Sequence, residues 1–300
     1  MGISHEQALN CFRSDDLIGL GMEADALRRR LHPEGVVSYA LLREIPLAGT
    51  QADGASLDRI CEEIRASVEM GSTGIRLLSG GLSAKGIEWL EQVFGGIRQR
   101  FPSLWIESLS ATEIVALAAG CGLGLQETIA RLRNAGLSSI VGDQEQCSLD
   151  QWIEVHAAAH GLGMQTVATM SSGAENSIEQ RVDLLAAVRQ LQQKTNGFTA
   201  FVAQSLPSRS TSTAEPTAVE QLRTLAIARI FLDNIANIQA SATTQSLKVL
   251  QMGLRFGAND AGFVTPDESS ASEEDLRRII RDAGFQPVQR DALYRTMFLN

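Results

Sequence analysis

The sequence predicts an α/β protein, a (β/α)8 barrel of the TIM type preceded by two helices. Three observations predict it. Short β-rich apolar runs alternate with longer stretches of helical period along nearly the whole chain; eight such strand–helix pairs can be counted; and they fill roughly 250 residues, the length at which eight parallel strands with right-handed crossovers close into a ring. An open doubly wound sheet fits that count less well. The composition suits a sizeable core: 300 residues are 44% apolar, 20% charged and 5% aromatic.

Residues 1–35 read as a helical extension, with helices at about 4–13 and 15–31, and residues 36–300 as a single barrel unit. The first strand, Val36 to Ile45, leads to a helix from Leu57 to Met70, whose Ile60, Ile64 and Val68 recur at four-residue spacing on one face. Gly74 to Ser79 precedes a helix from about Lys85 to Arg100. Leu104 to Leu109 precedes helical residues 112–134, which Gly120 to Gly124 breaks in two. Ser138 to Val141 forms the fourth strand, followed by a helix from Leu149 to His160 capped by Ser148 or Asp150.

The second half repeats the scheme. Strands Gln165 to Met170, Phe198 to Ala203, Ile238 to Ser241 and Gly257 to Phe263 alternate with helices Ile178 to Lys194, Thr217 to Asn234, Thr243 to Leu254 and Ser272 to Ala283. Polar loops at Pro207 to Pro216 and Pro266 to Glu274 follow strand ends, on the face where barrels carry function.

Lys and Arg number 26 against 35 Asp and Glu, a net charge of −9 that argues against nucleic acid as a partner. No apolar run resembles a secretory signal or reaches the ~20 residues that span a bilayer, so the chain reads as cytoplasmic and free of the membrane. The four cysteines, Cys11, Cys61, Cys121 and Cys147, form no CxxC pair and no metal-binding run. Arg28, Arg29 and Arg30 end a helix, where cations suit the dipole. His156 and His160 have the i, i+4 spacing of a metal pair, but no third ligand accompanies them, and no metal is assigned.

Side chains at the strand ends define the expected barrel mouth: Glu44, Ser79 with Gly80 and Gly81, Glu107, Asp143, Gln239 with Ser241, and Asn259 with Asp260. These are mostly neutral hydrogen-bonding groups with a few carboxylates, a lining for a polar metabolite without an evident nucleophile–base pair. Ser79-Gly80-Gly81 is either a tight turn or a place where main-chain N–H groups approach an anion.

Longer motifs in the last third are more specific. Asn237-Ile-Gln-Ala-Ser241, Leu254-Arg-Phe-Gly-Ala-Asn-Asp260, Ile280-Arg-Asp-Ala-Gly-Phe285 and Gln289-Arg-Asp-Ala-Leu-Tyr-Arg295, with Arg29-Arg-Leu-His-Pro-Glu-Gly35, Gly197-Phe-Thr-Ala-Phe201 and Leu225-Ala-Ile-Ala-Arg229, resemble the radical S-adenosylmethionine (SAM) enzymes of the futalosine route to menaquinone. The likeness is to dehypoxanthine futalosine cyclase, with aminofutalosine synthase and the deazaflavin-forming FO synthase as relatives. The resemblance implies a barrel, a substrate side formed by Gln239, Ser241, Asn259 and Asp260, and a SAM site at Ser79, Gly80 and Gly81.

The chain also departs from the family. Three thiolates of a CxxxCxxC motif after the first strand hold the family's [4Fe-4S] cluster, yet residues 46–56 contain no cysteine, and Cys61 lies in the following helix. Leu82, Gly173-Ala174, Gln204 with Leu206, and Ala242 replace family residues around the mouth, and residues 142–147 form a shortened segment. The expectation is therefore a cluster-less homologue with a vestigial SAM site and no cofactor, SAM remaining possible without a cluster. It would bind a nucleoside-like or other small polar metabolite, or a menaquinone-pathway enzyme, without radical chemistry. A non-radical hydrolase or isomerase using Glu107 or Asp260, with Glu44 and Asp143 as further acid or base candidates, is the second reading. A radical enzyme whose distant cysteines converge is the third.

Overall fold

A computed structural model describes residues 2–47, 54–80, 86–143, 147–171, 177–204, 217–241, 246–266 and 272–297. In chain order its elements are α1 (His5–Arg13), α2 (Leu17–Leu31), β1 (Val36–Pro46), α3 (Gly54–Glu69), β2 (Gly74–Leu78), α4 (Ile87–Arg100), β3 (Trp105–Ser108), α5 (Ala111–Cys121), α6 (Leu125–Ala135), α7 (Leu149–Gly161), β4 (Thr166–Ser171), α8 (Ile178–Thr195), β5 (Phe198–Gln204), α9 (Ala218–Phe231), β6 (Asn237–Ala240), α10 (Leu247–Gly253), β7 (Asp260–Val264), α11 (Glu273–Asp282) and β8 (Gln286–Gln289). Residues 1–40 with 168–300 form one compact unit and residues 41–167 another, so β1 and β4 each contribute to both.

Helix starts follow from capping chemistry. Ser110 with Glu113, Ser148 with Gln151 and Thr217 with Glu220 make reciprocal capping boxes, each satisfying donors that the first turn leaves open. The break between α5 and α6 falls where the glycines predict it, with Gly122 at φ +66° in the left-handed region.

In unit 41–167 the strand order is β3–β2–β1, all parallel. Ile75, Ile106, Leu90, Phe94, Ile97 and Trp152 are buried between strands and helices. The expected fourth strand, Ser138 to Val141, reduces to an isolated bridge between Ser139 and Glu107. Ser138 explains the difference, because its hydroxyl accepts from the Ile106 N–H at 3.1 Å and so takes the place of a ladder carbonyl.

In the other unit the order is β1–β7–β6–β5–β4, and β8 lies along the opposite edge of β1. The alternation of bonds shows this: Ser38 N–H donates to the Asn259 carbonyl, whereas the Gly35 and Tyr39 carbonyls accept from Gln286 and Arg290. β8 lies beyond the eight strands read from the sequence; its Pro287, which has no N–H to give to a ladder, faces Val37 in a strand that pairs with β1. α2 packs on α9, and α1 packs on α8 and α9. α9 is buried almost all round, which is why its apolar pattern shows no clean stripe. Among the described residues no single helix is long and apolar enough to cross a membrane.

Candidate functional site

The unit formed by residues 1–40 and 168–300 holds a buried polar network. Its centre is Asp260, the first residue of β7 and fully buried. Arg290, which follows β8, meets it with both faces of its fork: Nε donates to Oδ2 at 2.5 Å and Nη2 to Oδ1 at 2.9 Å. Ser38 Oγ on β1 donates to Oδ2 at 2.6 Å, and the Gly262 N–H donates to Oδ1 at 2.8 Å. Four donors thus fill the four lone-pair positions of one carboxylate.

Gln239 on β6 stands opposite Asp260 in register. Its Oε1 accepts from Tyr294 Oη at 2.7 Å and from Arg290 Nη2 at 3.3 Å. The Arg290 guanidinium lies 3.7 Å from the centroid of the Tyr294 ring. Burial disfavours the charge on Arg290, but the Asp260 carboxylate together with Tyr294 and Asp291 outweighs that cost and holds the guanidinium above its ordinary range. Asp291 organises the turn between them, its Oδ1 accepting from the Leu293 and Arg295 N–H groups at 2.9 Å each.

The position of Asp260 corrects the expected site. Asn259 and Asp260 were placed at a strand's C-terminal mouth; they stand at the N-terminal start of β7. Asn259 is a structural tie, its Oδ1 accepting from Arg229 Nη2 at 2.6 Å and from the Ile238 N–H at 2.9 Å while its Nδ2 donates to Asn237. Burial pulls the Arg229 pKa down to about 9, with Arg28 nearby adding repulsion. Asp260 has no acceptor position left for a substrate proton. Ser241 is buried just beyond β6.

Unit 41–167 carries a second charged group. Glu44 on β1, Arg76 on β2 and Glu107 on β3 are neighbours in one cross-strand row. Arg76 Nε donates to Glu107 Oε2 at 2.7 Å, and its Nη1 donates to Glu44 Oε1 at 3.1 Å. Burial lowers the Arg76 pKa, but the two carboxylates more than reverse it. Glu107 is buried and Glu44 about one-third exposed. Ser79, at the end of β2, donates to the Glu113 carboxylate that caps α5, and Gly80 follows at φ +62°. Gly81 lies outside the described residues, as do residues 48–53 and, in the two polar loops, residues 207–216 and 267–271.

His156 Nδ1 and His160 Nε2 both meet the Thr166 hydroxyl, at 3.0 and 2.8 Å. Burial lowers the pKa of His160 to about 4 and that of His156 well below its usual value. The pair thus anchors α7 to β4. No group of three or more metal-ligating side chains occurs among the described residues.

Of the residues named from the sequence, Gln239, Asn259 and Asp260 lie in the first network and Glu44 and Glu107 in the second; Ser38, Arg76, Arg290 and Tyr294, which were not named as site residues, lie beside them. Arg76 had a signal, as the lone charge in the apolar run Gly74 to Leu78. Arg290 and Tyr294 lay inside a motif quoted only for its resemblance.

Parallel strands with helical crossovers and a buried arginine–carboxylate–carboxamide network define the class: an α/β protein of barrel-type connectivity. A solved structure of methylornithine synthase shares the fold, with a TM-score of 0.68 over 96% of this chain and 94% of that one at 12% identity. A family model described as the CofH/MqnC C-terminal region matches residues 195–299. The cyclic dehypoxanthine futalosine synthase of Streptomyces coelicolor is 30% identical over 99% of this chain and 86% of its own length. The aminodeoxyfutalosine synthase of Thermus thermophilus is 28% identical over 80% of this chain and 72% of its own. The chain belongs to the radical SAM family of cyclic dehypoxanthine futalosine synthases and their relatives.

That membership overturns the expectation of no cofactor, because enzymes of this family use a [4Fe-4S] cluster and SAM. Such a cluster needs three thiolates close together. Cys11 lies on α1, Cys61 is buried in α3, Cys121 ends α5 and Cys147 precedes α7, and residues 46–56 contain no thiol. Three clustered thiolates are not supplied by these residues, so the chain's own side chains do not fit the cluster.

Proposed function

We propose that this chain is a member of the futalosine branch that binds a nucleoside-like or other small polar metabolite, or a menaquinone-pathway enzyme, and performs no radical chemistry itself. The observation that carries the reading is the pairing of an absent CxxxCxxC motif with a retained polar network around Gln239. In this reading the protein works in the cytoplasm, and Ser79 and Gly80 are what remains of the SAM site.

The test uses the full chain. Anaerobic reconstitution with iron and sulfide is expected to give well under one cluster per chain and no 5′-deoxyadenosine from SAM. Calorimetric titration with SAM, inosine and uridine is expected to show binding of at least one of them. Four irons per chain together with 5′-deoxyadenosine would overturn the reading.

A second reading rests on Glu107, a buried carboxylate beside a guanidinium. There the chain performs non-radical acid–base chemistry at Glu107. Product formed from a bound nucleoside, and abolished by Glu107→Gln with binding intact, would favour it.

A further inference from the structure

The buried network fixes not only which groups are present but which way one of them faces. A guanidinium has donors and no acceptor, so the group of Gln239 that meets Arg290 is its carbonyl oxygen. Tyr294 Oη donates to the same atom. Two donors on Oε1 turn the planar carboxamide so that its NH2 points away from both, and among the described residues this nitrogen takes no hydrogen-bond partner. Gln239 is only 7% exposed, and with its oxygen engaged twice the NH2 is the one hydrogen-bonding group its side chain still offers.

The scaffold behind it is rigid. Asp260, with all its lone pairs engaged, locks the plane of Arg290. Tyr294 holds φ +61°, a left-handed conformation that a bulky side chain rarely adopts. Its ring against Arg290 and its hydroxyl on Gln239 offset that strain.

We propose that Gln239 is a specificity-determining hydrogen-bond donor, set by Arg290 and Tyr294 as positioning residues, and that the ligand presents an acceptor to it, a base carbonyl oxygen or an unprotonated ring nitrogen. The proposal deepens the nucleoside-binding reading above and rests on it for the identity of the ligand.

Two measurements test it separately from that reading. Gln239→Glu keeps an acceptor oxygen for Arg290 and Tyr294 but replaces the outward NH2 by an oxygen. Inosine or uridine, whichever the wild type binds, is expected to bind this variant at least tenfold more weakly, with no fall in thermal midpoint; equal affinity would overturn the donor role. The second measurement needs no ligand. The side-chain NH2 pair of Gln239, assigned by its absence from the 1H–15N spectrum of Gln239→Glu, is expected to be sharp in the wild type and broadened or shifted in Tyr294→Phe. An unchanged pair in Tyr294→Phe would overturn the positioning, whatever the nucleosides do. Failure of both nucleosides to bind the wild type, with the spectral change present, would count against the ligand class and not against the orientation of Gln239.

Discussion

Replacing Asp260 by asparagine tests the central ion pair at constant shape. The carboxylate accepts four hydrogen bonds at 2.5–2.9 Å, two of them from Arg290. Asparagine keeps one oxygen, and its NH2 must face one of the two donor pairs, each of which includes an Arg290 N–H. Donor then meets donor, and a guanidinium only 6% exposed loses its counter-charge. Breaking a buried pair from one side costs about 3–5 kcal/mol, and at roughly 2–4 °C per kcal/mol for a chain this large the midpoint falls by roughly 6–20 °C. Urea unfolding followed by circular dichroism measures the loss. The cycle is completed by Arg290→Met alone and with Asp260→Asn, the double variant being expected to lose at least about 2 kcal/mol less than the sum of the singles. Additive losses, or a single-variant loss below about 1 kcal/mol, would refute the geometry on which this reasoning rests.

The histidine pair makes the protein acid-sensitive. The folded-state pKa of His160 is depressed to about 4 against about 6.5 unfolded, so its contribution is fully present above pH 6.5 and is lost as pH falls from 6.5 towards 4. Linkage puts the loss between pH 7.5 and 5 at about 2 kcal/mol, and the urea midpoint of His160→Gln is expected to vary less over that range; parallel curves would refute the assignment. In the Glu44–Arg76–Glu107 row, the more buried partner carries the larger effect. Arg76→Met leaves Glu107 buried without a counter-ion and is expected to cost about 3 kcal/mol, whereas Glu44→Gln at the exposed end costs below about 1 kcal/mol. Equal costs in urea unfolding would show that the row is not ordered by burial.

Alternation of period made most of the fold legible: helices and strands write different spacings into the sequence, and glycine at 122 and hydroxyl caps at 110, 148 and 217 mark the joints. Local rules failed at 138–141 and 286–289. A serine hydroxyl stood in for backbone at the first, and a proline was tolerated at the second. The site was legible as residue types and illegible as partnerships. Asp260 and Arg290 are 30 residues apart, and Gln239 and Arg290 are 51 apart. The pairings of β6 with β7, of β7 with β1 and of β1 with β8 bring them together, and no periodicity within a strand specifies the register between strands. The same holds for Arg76, whose meaning depends on the residues that β1 and β3 place beside it.

A buried ion pair is weak evidence of a stability requirement, since apolar residues of similar volume often serve equally well. Stability alone therefore does not explain why this unit contains aspartate, arginine, tyrosine and glutamine in mutual contact. Direction does. The carboxylate fixes the guanidinium plane, the guanidinium can face only an oxygen, and the tyrosine hydroxyl donates to that same oxygen. Each group removes an orientation from the next, and at the end of the sequence is a single amide NH2 with a defined heading. Leucine and methionine in these places could fill the space but could not transmit that choice. Asp260 thus acts through Arg290 on Gln239, a structural role that accounts for its saturated lone pairs better than acid–base work would.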